Sequence, residues 1–181
     1  MNRMEELEKL KYPIGRFKSP KLIDAKRISD WIGIIEVFPT KIQELTSELS
    51  QKQLLWCYRP DGWNIAQVVH HCADSHMNSF IRFKLSLTEN EPVIKPYHED
   101  RWANLVDGNS SDLAASYSIL SGVHARWALL LNALNEDDLS REYIHPEHGK
   151  RFRLDTSIGI YAWHCNHHLA HIKQAINNKG F

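Results

Sequence analysis

No hydrophobic run in this chain approaches the roughly 20 residues a membrane-spanning helix requires. The opening MNRMEELEKLKYPIG carries charges where a secretory leader would carry its apolar core, so no leader is read there. An excess of one charge is missing too. The 22 Lys and Arg balance the 22 Asp and Glu at a formal net charge of zero. That balance gives no global attraction to nucleic acid or to a membrane surface. Cysteine is scarce: Cys57, Cys72 and Cys165 are odd in number and form no CxxC pair. A disulfide scaffold is thereby excluded, and free thiols in a reducing, cytoplasmic compartment are expected. The glycine patterns of Walker and Rossmann loops and the GxSxG elbow are absent. So is the HExxH of zinc proteases, because Cys165 stands where its glutamate would be. With no repeat and no Ser/Gly-rich linker, residues 1–181 read as a single domain with 1–20 as an N-terminal extension.

What remains is helical. Ile28, Trp31, Ile35, Phe38, Ile42, Leu45 and Leu49 alternate steps of three and four, the stripe of a bundle helix. Pro39 lies inside that stripe and is expected to kink the helix or divide it in two. After Pro60-Asp61-Gly62, Asn64 and Gln67 have the spacing of a capping box, opening a second helix that runs to about Thr88. A third begins near Ser110 or Ser111 with Leu113, Tyr117, Leu120, His124, Trp127, Leu131 and Leu134 on one face. A fourth opens after Asp155-Thr156 and ends near Lys179, with Gly180 as its cap. A long loop with Pro92, Pro96, Tyr97 and Trp102 joins the second and third helices, and a segment of that length tends to be functional. Before the last helix, residues 142–145 and 151–154 flank Pro146-Glu147-His148-Gly149 as a small β-hairpin. The fold class expected is all-α, a four-helix bundle with long connections.

Histidine is the one residue in excess, 11 of 181, and four fall in the WHCNHHLAH of residues 163–171. At 100° per residue, Ile158, Tyr161, Cys165, Leu169, Ile172 and Ile176 define the apolar arc of the fourth helix. His168 lies at the edge of that arc and His164 next to it on the same side, whereas His171 and His167 fall toward solvent or a partner. An i,i+4 imidazole pair beside an apolar arc is half of a metal site, since neutral imidazole suits zinc, nickel, copper and ferrous iron. A third ligand must come from another helix, and His70, His71, His76 and His124 are the candidates. Helix phase alone selects His76. A single inward histidine is more often a hydrogen-bonded core residue, and Cys72 and Cys165 read as small buried apolar groups rather than nucleophiles.

Several blocks are similar to a known family: Tyr12-Pro13-Ile14-Gly15, Gly62-Trp63, Gln67-Val68-Val69-His70-His71, the segment 73–79, the segment 81–89, Lys95-Pro96-Tyr97, Trp163-His164, His167-His168 and Ala170-His171-Ile172. From about residue 12 onward the chain resembles the YfiT-type proteins of the DinB-like metalloenzyme superfamily. The resemblance implies a DinB-like four-helix bundle, a homodimer, and one divalent metal per chain held by His71, His164 and His168, with zinc expected and nickel the alternative. His76 is the fallback for His71. It implies a metal-dependent hydrolase acting on a small molecule through an activated water, or a thiol S-transferase that joins bacillithiol or a similar thiol to electrophiles. No catalytic side chain is assigned; Asp74, Asn166 and His167 are the weak candidates. A closed, non-enzymatic metal site would need a fourth protein ligand, His76 or Cys165, and a plain helical interaction module would bind no metal.

Overall fold

Asp24 starts the first long helix by accepting a hydrogen bond from the Arg27 amide at 2.8 Å, which satisfies one of the free amides of a helix's first turn. The structure, a computed structural model, describes residues 3–147 and 149–181. In chain order its elements are α1 (Arg3–Lys11), α2 (Ala25–Thr46), α3 (Gln51–Leu54), α4 (Ile65–Thr88), α5 (Glu99–Trp102), α6 (Ala114–Asn132), α7 (Glu136–Ser140), β1 (Glu142–His145), β2 (Lys150–Arg153) and α8 (Leu154–Asn178). The expected capping box at Asn64 and Gln67 is formed. The expected hairpin pairs Glu142 with Arg153 and His145 with Lys150 in antiparallel register, with Leu154 passing into the last helix.

Four helices make the bundle. α2 and α4 each pack against both α6 and α8, which places α2 diagonally opposite α4 and α6 diagonally opposite α8. Two consecutive helix pairs are thus not neighbours. Their connections must cross the end of the bundle, which is why they are long enough to hold α3 in one case and α7 with the hairpin in the other. Apolar stripes meet inside: Ile32, Ile35, Phe38 and Ile42 from α2, Val69, Cys72 and Phe83 from α4, Leu120, Trp127 and Leu131 from α6, and Ile158, Cys165 and Ile172 from α8 are all buried. Trp31 and Leu45 sit half-buried at the stripe's edge, and Leu49 lies beyond the helix end.

Pro39 does not divide the first long helix, which is continuous through it. A proline cannot donate to the carbonyl four residues earlier, here that of Ile35. That carbonyl is instead 2.6 Å from Nδ1 of the buried His124 on α6, so the backbone group orphaned by Pro39 has a partner and the helix need not break.

The N-terminal extension is structured. α1 has acidic residues in its first turn and lysines in its last, matching the helix dipole. Its end lies along the outside of α8: Gln174 Nε2 donates to the Leu10 carbonyl at 3.0 Å, and Trp163 Nε1 donates to the Gly15 carbonyl at 3.0 Å. The long loop is pinned at its start, where Ile94 N donates to the Ile144 carbonyl and Ile144 N to the Pro92 carbonyl at 3.0 and 2.9 Å.

α8 approaches α2 closely because residue 159 is glycine. A Cβ there would lie 2.7 to 2.9 Å from three atoms of the Trp31 indole, a rigid ring. Gly159→Ala is expected to destabilise the protein, because overpacking of about 1–3 kcal/mol outweighs the roughly 1 kcal/mol that alanine adds to a helix. Urea unfolding should show a lower midpoint at unchanged slope. A midpoint at or above wild type would mean that Trp31 moves aside freely.

Candidate metal centre

The neighbouring helices α4 and α8 bring three imidazoles together. One ring nitrogen from each of His71, His164 and His168 lies within 4.8 Å of the other two. His164 Nε2 is 3.3 Å from His71 Nε2 and 3.2 Å from His168 Nε2. A tetrahedral ion with metal–nitrogen bonds of about 2.0–2.1 Å separates its ligand nitrogens by about 3.3–3.4 Å, so these two spacings match those around a bound divalent cation. The rings also have the right protonation state. Burial, followed by the neighbouring histidine His167, lowers His71 to about 4, and burial with the adjacent histidines holds His164 and His168 well below the usual imidazole range. All three are therefore neutral near pH 7, the form that offers a lone pair to a metal.

Each ring is held by packing. The Trp63 indole lies 4.7 Å from the His71 ring, and Tyr161 lies 5.5 Å from His164. His168 Nδ1 faces His171 Nδ1 at 3.4 Å, and His171 Nε2 is 3.0 Å from the Lys11 carbonyl at the end of α1. Tyr58 stacks on His171 with ring centroids 3.8 Å apart.

Two clefts share this site. One of about 480 Å³ runs past Ser75, Arg82, Tyr97, Ile160 and His164. Another of about 370 Å³ is bordered by Tyr12, Arg59, Trp63, His71, His164 and His168. Glu99 and Asp100 of α5 line both, so the long loop between α4 and α6 does form part of the wall. Burial, then the negative charges of Asp100 and Glu147, raises the Glu99 carboxyl above its ordinary range.

The remaining candidates separate clearly. His76 is fully buried, as helix phase expects, yet it is not one of the three converging rings: its Nε2 meets His164 Nδ1 at 2.9 Å from behind. His124 is a hydrogen-bonded core residue, its Nε2 2.7 Å from His76 Nδ1. His70 turns toward α6, with Ser116 Oγ at 2.8 Å and the Ser110 carbonyl at 2.9 Å. Cys165 is fully buried with its thiol pushed up by burial and lies outside the cluster. Asp74, half-buried and raised to about 6 by burial and then by Asp107, lines neither cleft, and Asn166 borders a different groove with Lys41 and Lys173.

Two expectations are corrected. His167 and His171 are buried rather than solvated, because α1 and Tyr12, whose placement the helix arc could not supply, cover that face of α8. His167 stacks on Trp163 at 4.4 Å, and its Nδ1 is buried without a hydrogen-bond partner. The helical character of EELEKLK was the available signal for α1.

A sequence profile of the DinB superfamily matches residues 35–172. The chain is 41% identical over 172 residues to the Bacillus subtilis protein named "Putative metal-dependent hydrolase YfiT", covering 95% of this chain and 97% of that one. It is 47% identical over 163 residues to a Bacillus cereus protein of the same description, covering 90% and 93%. The solved structure of YfiT from Bacillus subtilis, described as a probable metal-dependent hydrolase with an unusual four-helix bundle topology, superposes with a TM-score of 0.92 at 40% identity, covering 96% of this chain and 99% of that one.

The buried histidines are expected to make chelator-treated protein acid-labile. His71, His124 and His167 are lowered to about 4 and His171 to about 3, all from 6.5. Groups with depressed folded-state values contribute their full stability above about pH 6.5 and lose it as pH falls through about 4, at up to about 1.4 kcal/mol per pH unit for each ring kept neutral. Urea midpoints of chelator-treated protein should fall steadily from about pH 7 to about pH 4.5. A flat profile would contradict the burial of these rings.

Proposed function

The chain belongs to the DinB superfamily, and from that premise we propose that it is a metal-dependent hydrolase of small molecules, with one divalent ion held by His71, His164 and His168. The carrying observation is the convergence of three neutral imidazole nitrogens, two of the contacts at 3.2 and 3.3 Å, at the junction of two clefts. An ion bound by three neutral ligands, zinc by availability or nickel by its affinity for imidazole, would keep its double charge and would lower the pKa of a water toward about 7.

The protein's own contribution is placement and exclusion of solvent. α4 holds His71 against Trp63, and α8 holds His164 and His168 one turn apart, so no loop motion is needed to assemble the ligands. Clefts of about 370 and 480 Å³ suit a small substrate rather than a polymer. Arg59 and Arg82 on the cleft walls, and Glu99 and Asp100 at the shared edge, supply the polar groups that would orient it. Among the described residues the cluster holds three histidines and no fourth ligand, which favours an open, reactive position over a closed structural site.

Protein prepared without an affinity tag should contain about one divalent ion per chain, and His168→Ala should retain less than about a tenth of it. Hydrolysis of activated esters or amides by wild type should be lost in the same variant. Full occupancy in His168→Ala would refute the site. Turnover that appears only with an added low-molecular-weight thiol would overturn hydrolysis in favour of thiol transfer.

A further inference from the structure

We propose that His76 and His124 are positioning residues for the metal centre: with the Ile35 carbonyl they form a hydrogen-bonded file that keeps the proton of His164 on Nδ1 and presents its Nε2 lone pair to the ion. This rests on the reading of His164 as a ligand. The file runs through four groups at short range. The Ile35 carbonyl is 2.6 Å from His124 Nδ1, His124 Nε2 is 2.7 Å from His76 Nδ1, and His76 Nε2 is 2.9 Å from His164 Nδ1.

The direction of the file follows from its anchor. A carbonyl can only accept, so His124 Nδ1 must carry a proton. Ile35 is free to accept because Pro39, four residues on in α2, has no amide to offer it. His124 and His76 are buried among Phe38 and Trp127, and no acidic residue meets either ring among their hydrogen bonds and ring contacts, so each holds a single proton. With its proton on Nδ1, His124 has an accepting Nε2, and His76 must donate from Nδ1. His76 Nε2 then accepts, and His164 donates to it from Nδ1. Reversing any one ring would set two lone pairs or two protons against each other, and reversing all would turn a lone pair onto the Ile35 oxygen at 2.6 Å. The remaining nitrogen of His164, Nε2, is left bare, facing His71 and His168.

The other ligand on α8 is oriented in the same way. The Lys11 carbonyl belongs to the last turn of α1, where no intrahelical donor remains. It accepts from His171 Nε2 at 3.0 Å, so His171 Nδ1 accepts from His168 Nδ1 at 3.4 Å, and His168 Nε2 is bare as well. The two Nε2 lone pairs then oppose each other across 3.2 Å, a contact that no proton fills in this tautomer pattern and that a cation satisfies. Two carbonyls left unpaired by their own helices thus pre-set both ligands before a metal arrives. Orientation of ligating histidines by hydrogen bonds from behind typically governs metal affinity by about 10–100-fold.

The test uses the chain of residues 1–181. Nitrogen-15 NMR of the metal-free wild type should show the protons of His124, His76 and His164 on Nδ1, each with a slowly exchanging hydrogen-bonded signal. In His76→Phe, which keeps a ring between Phe38 and Trp127, His164 should populate both tautomers, and zinc affinity measured against a competing chelator should fall about 10–100-fold. His76→Gln, whose amide both donates and accepts, should recover most of that loss, which filling of space alone would not do. A proton on His164 Nε2 in the wild type, or undiminished zinc affinity in a folded His76→Phe, would overturn the proposal. If the wild type binds no zinc, the ligand reading fails separately, and the tautomer spectrum still decides whether the file exists. Should His76→Phe not fold, the wild-type spectrum decides alone.

Discussion

A buried imidazole has two nitrogens and, when neutral, one proton, and leaving either nitrogen without a partner in a protein interior is costly. Much of this bundle is arranged around that constraint. His70 ties α4 to Ser116 on α6 and to the Ser110 carbonyl just before it. His124 joins α6 to α2, His76 joins α4 to α6 and α8, and His171 joins α8 to the end of α1. The rings act as polar staples between helices whose apolar stripes would otherwise specify only a general collapse. Against that background the cluster of His71, His164 and His168 is distinct, because one nitrogen of each ring converges on the other two.

The fold was largely legible in the sequence because amphipathic helices announce themselves by period and by caps. The stripe through Ile35, Phe38 and Ile42 and the Asn64–Gln67 box both need only residues within one or two turns. The hairpin was legible for the same reason, with two short runs around a turn. α1 was not. Its nine residues have almost no apolar periodicity and depend on contacts with Gln174 and His171, 160 or more positions away.

The candidate site was legible in halves. The pair on α8 follows from spacing, since His164 and His168 stand on one shoulder of a single helix. The partner on α4 does not follow, because that helix is buried on several sides: His70, His71, Cys72 and His76 all lie in the interior, so an arc drawn around one core cannot rank them. It puts His76 at the centre of the bundle, which is where His76 is, but the three rings converge on the flank facing the clefts. Family resemblance pointed to His71. The solvated face assigned to His167 and His171 failed for a related reason, since amphipathicity records what other helices cover and is blind to a distant chain terminus.

Pro39 shows how misleading a residue-by-residue ideal of stability can be. Judged by helix propensity, a proline in the middle of a 22-residue helix is a defect that alanine should repair by about 3 kcal/mol. Yet the missing amide is what leaves the Ile35 oxygen open to His124. A designer working toward consensus helices would remove it first. The outcome would be a better helix whose Ile35 acceptor is shared between two donors, and a core histidine held to its tautomer by a weaker hydrogen bond. Local imperfection in the backbone here serves as a source of long-range chemical order, extending from an orphaned carbonyl on one helix to a lone pair on another.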